Sequence, residues 1–223
     1  MRTGAIVVAA GSSQRMGGAD KLLLALGGRP VLAHSLATFA AHPRIDALAV
    51  VVSEANEAPI RALATQYAPT AQVVLGGPRR RDSVLNGLEA LPDCDYVLVH
   101  DGARPLVKPE LVDAALDGAI ESGASLCAVP VSDTVKRADD AGFVRGTISR
   151  QGLWLAQTPQ AFRRDTLRRA HASSDIDVTD DCALVELLGE PVRVVMGSQR
   201  NLKITTAADL ALAEALLAAG DGN

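Results

Sequence analysis

Cysteine is scarce in this chain: 223 residues include three, Cys94, Cys127 and Cys182, with no C-x-x-C spacing. An odd, scattered set argues against a disulfide framework or a zinc site, and sets a reducing cytoplasm as the expected location. A long apolar run is missing too. Segments such as Ala5-Ile6-Val7-Val8-Ala9-Ala10 fall far short of the ~20 residues that span a bilayer. That run also stops too abruptly, at Gly-Ser-Ser-Gln-Arg, to read as a signal peptide. There is no basic excess: 22 Lys and Arg against 26 Asp and Glu leave a formal charge of −4. Nucleic acid is therefore not expected as a partner, and any phosphate must be met by a few placed cations. Internal repeats, low-complexity tracts and Pro/Gly/Ser-rich linkers are absent as well. Disordered, membrane, collagenous and secreted-scaffold classes are thereby set aside.

What remains is an ordinary globular composition, 48% hydrophobic and 22% charged. Short β-branched runs alternate with stretches of helical periodicity. The strands are expected at Ala5–Ala10, Leu48–Ser53, Gln72–Leu75, Tyr96–His100, Ser125–Val131 and Val192–Met196. Helices are expected near Pro30–Ala41, Glu57–Tyr67, Asp82–Leu91, Pro109–Ser122, Arg163–Ala172, Asp180–Leu188 and Ala207–Ala219. Pro30 and Pro109 suit a first helical turn, and Thr206 suits a cap. Continuous apolar strands alternating with helices predict an α/β fold with one doubly wound, mostly parallel sheet. From about Asp133 to Ala156 the rhythm breaks into two extended pieces around Asp139-Asp140-Ala141-Gly142, which predicts a protruding β-hairpin arm on a single domain spanning residues 1–223.

Ligands of such sheets sit beyond the carboxyl ends of the strands, and four strand ends here carry unusual polar residues. The first is Ala9-Ala10-Gly11 through Arg15, Gly17, Gly18 and Lys21, with glycines for close approach and two cations. It matches neither G-x-G-x-x-G nor G-x-x-x-x-G-K-[ST]. The second, Gly76-Gly77-Pro78-Arg79-Arg80-Arg81-Asp82-Ser83, opens a helix; anion binding there competes with a plain turn, a solvated Arg run and a capping Asp82 or Ser83. The third, His100-Asp101-Gly102-Ala103-Arg104-Pro105, offers Asp101 as a ligand for nucleotide-borne Mg²⁺ or, alternatively, as an ion-pair partner of Arg104. In the fourth, Asn201 to Thr205, Lys203 reads as a buried strand lysine that needs a partner, and a phosphate would serve. No histidine stands in a Ser/His/Asp or metal-ligand spacing. His34, His42 and His171 read as structural or surface groups, His100 as packing at a strand end, and the cysteines as small core hydrophobes.

Taken in order, these segments resemble the 2-C-methyl-D-erythritol 4-phosphate cytidylyltransferases of the non-mevalonate isoprenoid pathway, from about residue 5 to 217. Besides the loops above, the marks are Val97-Leu-Val-His-Asp-Gly-Ala-Arg-Pro105, Asp133-Thr-Val-Lys-Arg137, Arg150-Gln-Gly-Leu-Trp-Leu-Ala-Gln-Thr-Pro-Gln160, Thr179-Asp180-Asp181 and Asn201-Leu-Lys-Ile-Thr205. Pro78 departs from the acidic residue of many members. The resemblance implies a dimer in which the arm crosses to the partner. It further implies that Arg15 and Lys21 are catalytic, gripping the CTP triphosphate and stabilising the transition state, and that Ala9, Ala10, Gly11, Gly77, Ser83, Asp101 and Ala103 serve the nucleotide. Asp101 would lie beside Mg²⁺, while Arg104, Thr134, Arg150, Thr158, Thr179 and Lys203 would hold the sugar phosphate, with Arg150 and Lys203 among the catalytic groups.

The chemistry fits without a general base. A phosphomonoester is mostly a dianion at pH 7, so it attacks the α-phosphorus of CTP given alignment, charge neutralisation and a metal. Three rival readings remain. A cytidylyltransferase for another polyol phosphate, such as ribitol 5-phosphate, would differ where the polyol is held. An oxidoreductase would want G-x-G-x-x-G. A non-catalytic nucleotide-binding protein would not need Arg15, Lys21 and Lys203 together.

Overall fold

The computed structural model describes residues 1–11 and 20–220. In chain order the strands are β1 (Thr3–Val8), the short pair β2 (Ala25–Leu26) and β3 (Arg29–Pro30), β4 (Ala47–Val52), β5 (Gln72–Leu75), β6 (Tyr96–Asp101), β7 (Ala124–Pro130), β8 (Val135–Ala138), β9 (Val144–Ile148), β10 (Trp154–Arg163) and β11 (Arg193–Met196). The helices are α1 (Val31–Ala41), α2 (Glu57–Tyr67), α3 (Arg80–Ala90), α4 (Pro109–Ser122), α5 (Arg164–Ser173), α6 (Asp181–Leu187) and α7 (Ala207–Ala218). Seven strands form one sheet in the order β11-β7-β10-β6-β1-β4-β5. Its pairs are parallel except at β10, which runs antiparallel to both β6 and β7.

Alternation along each strand splits the core into two layers. Ala5 and Val7 of β1, with Leu48 and Val50 of β4, face a layer built with α1, α2, α4 and α7. Ile6, Ala49 and Val51 face the other, with α3, α5 and α6. Cys127 and Cys182 are buried within these layers, and burial pushes the Cys127 thiol up to about 12, so it stays a neutral hydrophobe.

Strand β10 has no counterpart among the six apolar runs. Its first residues, Trp154–Ala156, fall in the segment expected as arm but pair with β7 in the main sheet, so the arm is shorter than expected, and Pro159 by itself argues against a central strand. The structure accommodates the proline as a shift between Ala156 and Gln160, so Pro159 stands outside the ladder while Trp154–Ala156 and Gln160–Phe162 pair with β7. Strands β8 and β9 pair with each other in a sheet of their own, closed by Asp139, whose carbonyl accepts the Gly142 N–H at 3.0 Å. The hairpin expectation holds, with Gly142 at φ 84°. Pro30 differs: it ends β3 opposite Ala25 and stands before the helix, which begins at Val31.

Thr206 caps α7 as its position suggests: its side chain accepts the Asp209 N–H, while Asp209 accepts the N–H of Thr206. Thr206→Ala should cost about 1 kcal/mol, read as a lower urea midpoint. Hydrogen bonds from the Thr205 hydroxyl and the Thr205 and Thr206 amides hold the Asp209 carboxyl down to about 2. An unfolded aspartate titrates near ~3.9, so this contribution is complete above that pH and is lost as pH falls through about 2. The urea-midpoint advantage of the wild type over Asp209→Asn should shrink across that window.

Candidate active site

Three strand ends converge because glycine lets them. The N–H of Gly76, just past β5, donates to the Val52 carbonyl at 2.7 Å. A Cβ there would lie 2.6 Å from Ser83 Oγ and 2.8 Å from the Ala10 Cβ, closer than real contacts allow. Gly102, after β6, donates its N–H to Val8 O at 2.9 Å, and Ala9 donates to Val51 O at 2.7 Å. Asn56, buried, ties the next turn in: its Nδ2 donates to Ala9 O at 3.0 Å and to Asp20 Oδ2 at 2.8 Å. Asp20 in turn accepts the Leu22 N–H at 3.0 Å and starts the short helical turn that carries Lys21.

Around these ends lies a cavity of ≈ 320 Å³, lined among others by Ala9, Ala10, Gly11, Lys21, Gly77, Ser83, Asp101, Ala103 and Lys203. Every nucleotide-side residue named from the sequence within the described residues is therefore on one surface. Arg15 lies outside the described residues. A second cavity of ≈ 200 Å³ is lined by Arg104, Thr158 and Thr179, together with Asp101 and Lys203. A larger hollow of ≈ 610 Å³ lies at the opposite end of β6, beside Cys94, Tyr96 and Arg164. Two of its arginines are matched locally, Arg164 to Asp93 at 2.6 Å and Arg168 to Asp165 at 3.2 Å, and it stands away from the carboxyl ends where ligands bind.

Asp101 is the electrostatic centre. Lys203 Nζ is 2.9 Å from its Oδ2, Arg104 Nε is 3.7 Å from the same oxygen, and Arg80 NH2 is 3.7 Å from Oδ1. Burial works against its charge, yet Lys203, Arg80 and Arg104 together hold the carboxyl well below the usual carboxylate range. The Asp101–Arg104 pair thus exists alongside a wider cluster. Lys203 itself differs from expectation. It sits on an irregular segment rather than a strand, and its side chain is 41% exposed at the cavity wall, so solvent and Asp101 share the stabilisation of its charge.

His100 closes a chain of hydrogen bonds behind the site. The Asp101 N–H donates to Thr158 Oγ1 at 3.0 Å. Thr158 Oγ1 lies 3.1 Å from His100 Nδ1, and His100 Nε2 lies 3.2 Å from the Arg104 carbonyl. A carbonyl only accepts, so Nε2 carries the proton and Nδ1 accepts from Thr158. Burial pushes the ring down to about 4, which keeps it neutral and structural, as its sequence position suggests. Behind it, Arg104 NH1 donates to Asn201 O at 2.8 Å and Asn201 Nδ2 donates to Thr158 O at 2.8 Å, so the shifted part of β10 and the Lys203 segment are locked together.

Two sequence-named residues are not brought to these cavities. Thr134 and Arg150 are exposed at the base of the arm and line neither of them. Arg150 donates to the Ser132 carbonyl. Conversely, Arg80 and Asn56 were not singled out and belong to the site. The Arg79–Arg81 run is not solvated. Arg79 is bound to Asp82 at 2.8 Å and Asp175 at 2.7 Å, and Arg81 is buried with donors on the carbonyls of His171 and Ile176. Helix α3 accordingly starts at Arg80, two residues early, with Asp82 accepting the Arg79 N–H and Ser83 turned back to accept the Gly77 N–H at 3.2 Å.

Residues 3–219 match the family model described as 2-C-methyl-D-erythritol 4-phosphate cytidylyltransferase. The chain belongs to that family. A protein of that name from Dehalococcoides mccartyi is 46% identical over 221 residues, covering 98% of this chain and 97% of its own. Among solved structures, the 4-diphosphocytidyl-2C-methyl-D-erythritol synthase of Anaerococcus prevotii matches with a TM-score of 0.86 at 34% identity, covering 97% of this chain and 96% of that one. The Thermus thermophilus cytidylyltransferase matches at 0.82 and 36%, covering 97% and 98%. As a member of this family the chain is an enzyme, a nucleotidyltransferase, and the doubly wound fold expected from its apolar pattern is the family's fold.

The family's reaction moves phosphates, which raises the fit of a divalent ion. Among the described residues no three His, Cys, Asp or Glu side chains gather as a metal cage, and Asp101 is the one carboxylate lining the larger of these two cavities. That donor set suits Mg²⁺ arriving on a triphosphate, which takes one or two protein carboxylates and keeps its other ligands as phosphate and water. It does not suit a resident metal. No helix among the described residues is long and apolar enough to cross a membrane.

Proposed function

We propose that this chain transfers the cytidylyl group of CTP to 2-C-methyl-D-erythritol 4-phosphate, giving 4-diphosphocytidyl-2-C-methyl-D-erythritol and pyrophosphate for isoprenoid precursor synthesis. One observation carries the siting of the reaction: the two cavities share a wall at Asp101 and Lys203, as a site that joins two phosphate-bearing substrates requires. A phosphate oxygen of the polyol attacks the α-phosphorus, the bond to the β-phosphate oxygen breaks, and pyrophosphate leaves. The attacking phosphate has a second pKa near ~6 and needs no base.

Roles follow from position. Ala9, Ala10, Gly11, Gly77, Ser83 and Ala103 form the nucleotide wall, where backbone groups are available for the base and ribose. Lys21, with Arg15 from the glycine-rich sequence before it, neutralises the triphosphate. Arg104, Thr158, Thr179 and Lys203 hold the polyol phosphate. Asp101 would hold Mg²⁺, which supplies charge neutralisation on the phosphates when bound. The enzyme acts as a cytoplasmic homodimer. In it the arm, with Phe143 66% and Val144 62% exposed, packs on the partner and delivers Thr134 and Arg150 to the partner's cavity, since an isolated two-stranded ribbon is marginal alone.

Pyrophosphate release from CTP, assayed with each polyol phosphate in turn, tests the reading. Methylerythritol phosphate should be the best acceptor, with activity lost on chelation and restored by Mg²⁺. Faster turnover with ribitol 5-phosphate would overturn the substrate and leave the CTP half standing.

A further inference from the structure

We propose that Arg80 is a further catalytic residue of this transfer, contacting phosphate oxygens where the two cavities meet, and that Asp181 is the residue that positions it. The inference rests on the reaction proposed above.

Location comes first. Arg80, Asp101 and Lys203 are the residues common to both linings. The new bond joins a phosphate in one cavity to a phosphate in the other, so the reacting phosphorus lies beside these three.

Donor use separates Arg80 from its neighbours. A guanidinium has five N–H donors. Arg79 directs four of its five to Asp82 and Asp175, and the terminal nitrogens of Arg81 donate to two carbonyls. Arg80 has one hydrogen bond among the described residues, NH1 to Asp181 Oδ2 at 2.7 Å, while its NH2 stands 3.7 Å from Asp101 Oδ1. One edge of the fork is anchored and the other is left for a ligand. A planar fork of this kind suits phosphate oxygens.

Cost points the same way. The first residue of a helix is a poor place for a cation, because the macrodipole is positive there. Arg80 occupies that position in α3 and is held by Asp181, which is fully buried at the start of α6. Two chain segments far apart in sequence are thus arranged to keep an unfavourable charge at one spot, and that spot is the cavity junction.

The experiment compares wild type, Arg80→Lys, Asp181→Asn and their double variant, by thermal unfolding and by kcat and KM for each substrate. Wild type must first release pyrophosphate from CTP and methylerythritol phosphate; if it does not, the reaction proposed above fails, and not the role of Arg80. Arg80→Lys keeps a charge for Asp181 and should fold normally, yet lose at least about tenfold in kcat with KM for CTP changed less than about threefold. Asp181→Asn should fall by about tenfold, and the double variant should be no more than about twofold worse than Arg80→Lys, because Asp181 acts through Arg80. Wild-type kcat in folded Arg80→Lys, or losses that multiply in the double variant, would overturn the proposal. Should Arg80→Lys not fold, the neutral pair Arg80→Gln with Asp181→Asn replaces it. A folded neutral pair with wild-type kcat overturns the proposal, and one with kcat reduced more than about tenfold supports it.

Discussion

Lys21→Ala is expected to lower kcat by about 10² to 10³, or roughly 3–4 kcal/mol, the loss seen when one preorganised group is withdrawn from developing charge. Lys21 is held for that role by a relay: Asn56 fixes Asp20, and Asp20 starts the turn that sets Lys21 on the wall of the nucleotide cavity. Folding should survive, because the core under this turn is made by Leu22. Steady-state kinetics at saturating CTP separates the possibilities. A kcat near normal with KM raised would make Lys21 a binding group alone. His100→Gln provides the contrast: it sits as near the site, but its ring is neutral and occupied by Thr158 and Arg104, so its effect should be far smaller.

Mixing Lys21→Ala chains with Arg150→Ala chains, each inactive as a homodimer, should restore roughly a quarter of wild-type activity. If the arm delivers Arg150 to the partner, one site of a mixed dimer receives both lesions and the other neither. Random pairing makes about half the dimers mixed, each with one intact site of two. If Arg150 serves its own chain, every site keeps a lesion and nothing returns. Within one chain Arg150 and Thr134 line neither cavity, which is what an exchanged arm requires. A monomer at working concentration would remove the basis of the proposal. Refolding or co-expression followed by a pyrophosphate-release assay provides the reading.

The parallel strands were legible because their apolar residues are continuous, and a strand covered on both faces permits no polar alternation. Strand β10 was not, since Gln157, Thr158, Pro159 and Gln160 look like loop until β7 and β6 are seen to flank them. The glycine-rich strand ends could be read as a site because close backbone approach needs glycine wherever it occurs. Arg80 could not be told from Arg79 and Arg81: which donors are spent depends on Asp175, Ile176 and Asp181, which return from distant sequence. Lys203 has a partner within the chain, the Asp101 carboxylate, where the sequence suggests a phosphate, and it is half exposed because an apolar stretch does not reveal whether it is strand or irregular chain.

The antiparallel strand has a consequence for synthesis. β10 alone joins β7 and β11 to the rest of the sheet. While the ribosome is still making the arm, β6 presents one bare edge and β7 two, and the gap between them stays open until Arg163 has emerged. Such edges are templates for pairing with other chains, and contacts between distant segments form slowly. The nascent enzyme is therefore most exposed to aggregation after β7 is made and before β10 closes the gap. The residues that complete the catalytic cleft are supplied by the same late step: Thr158 meets the Asp101 amide only when β10 slots between its two neighbours.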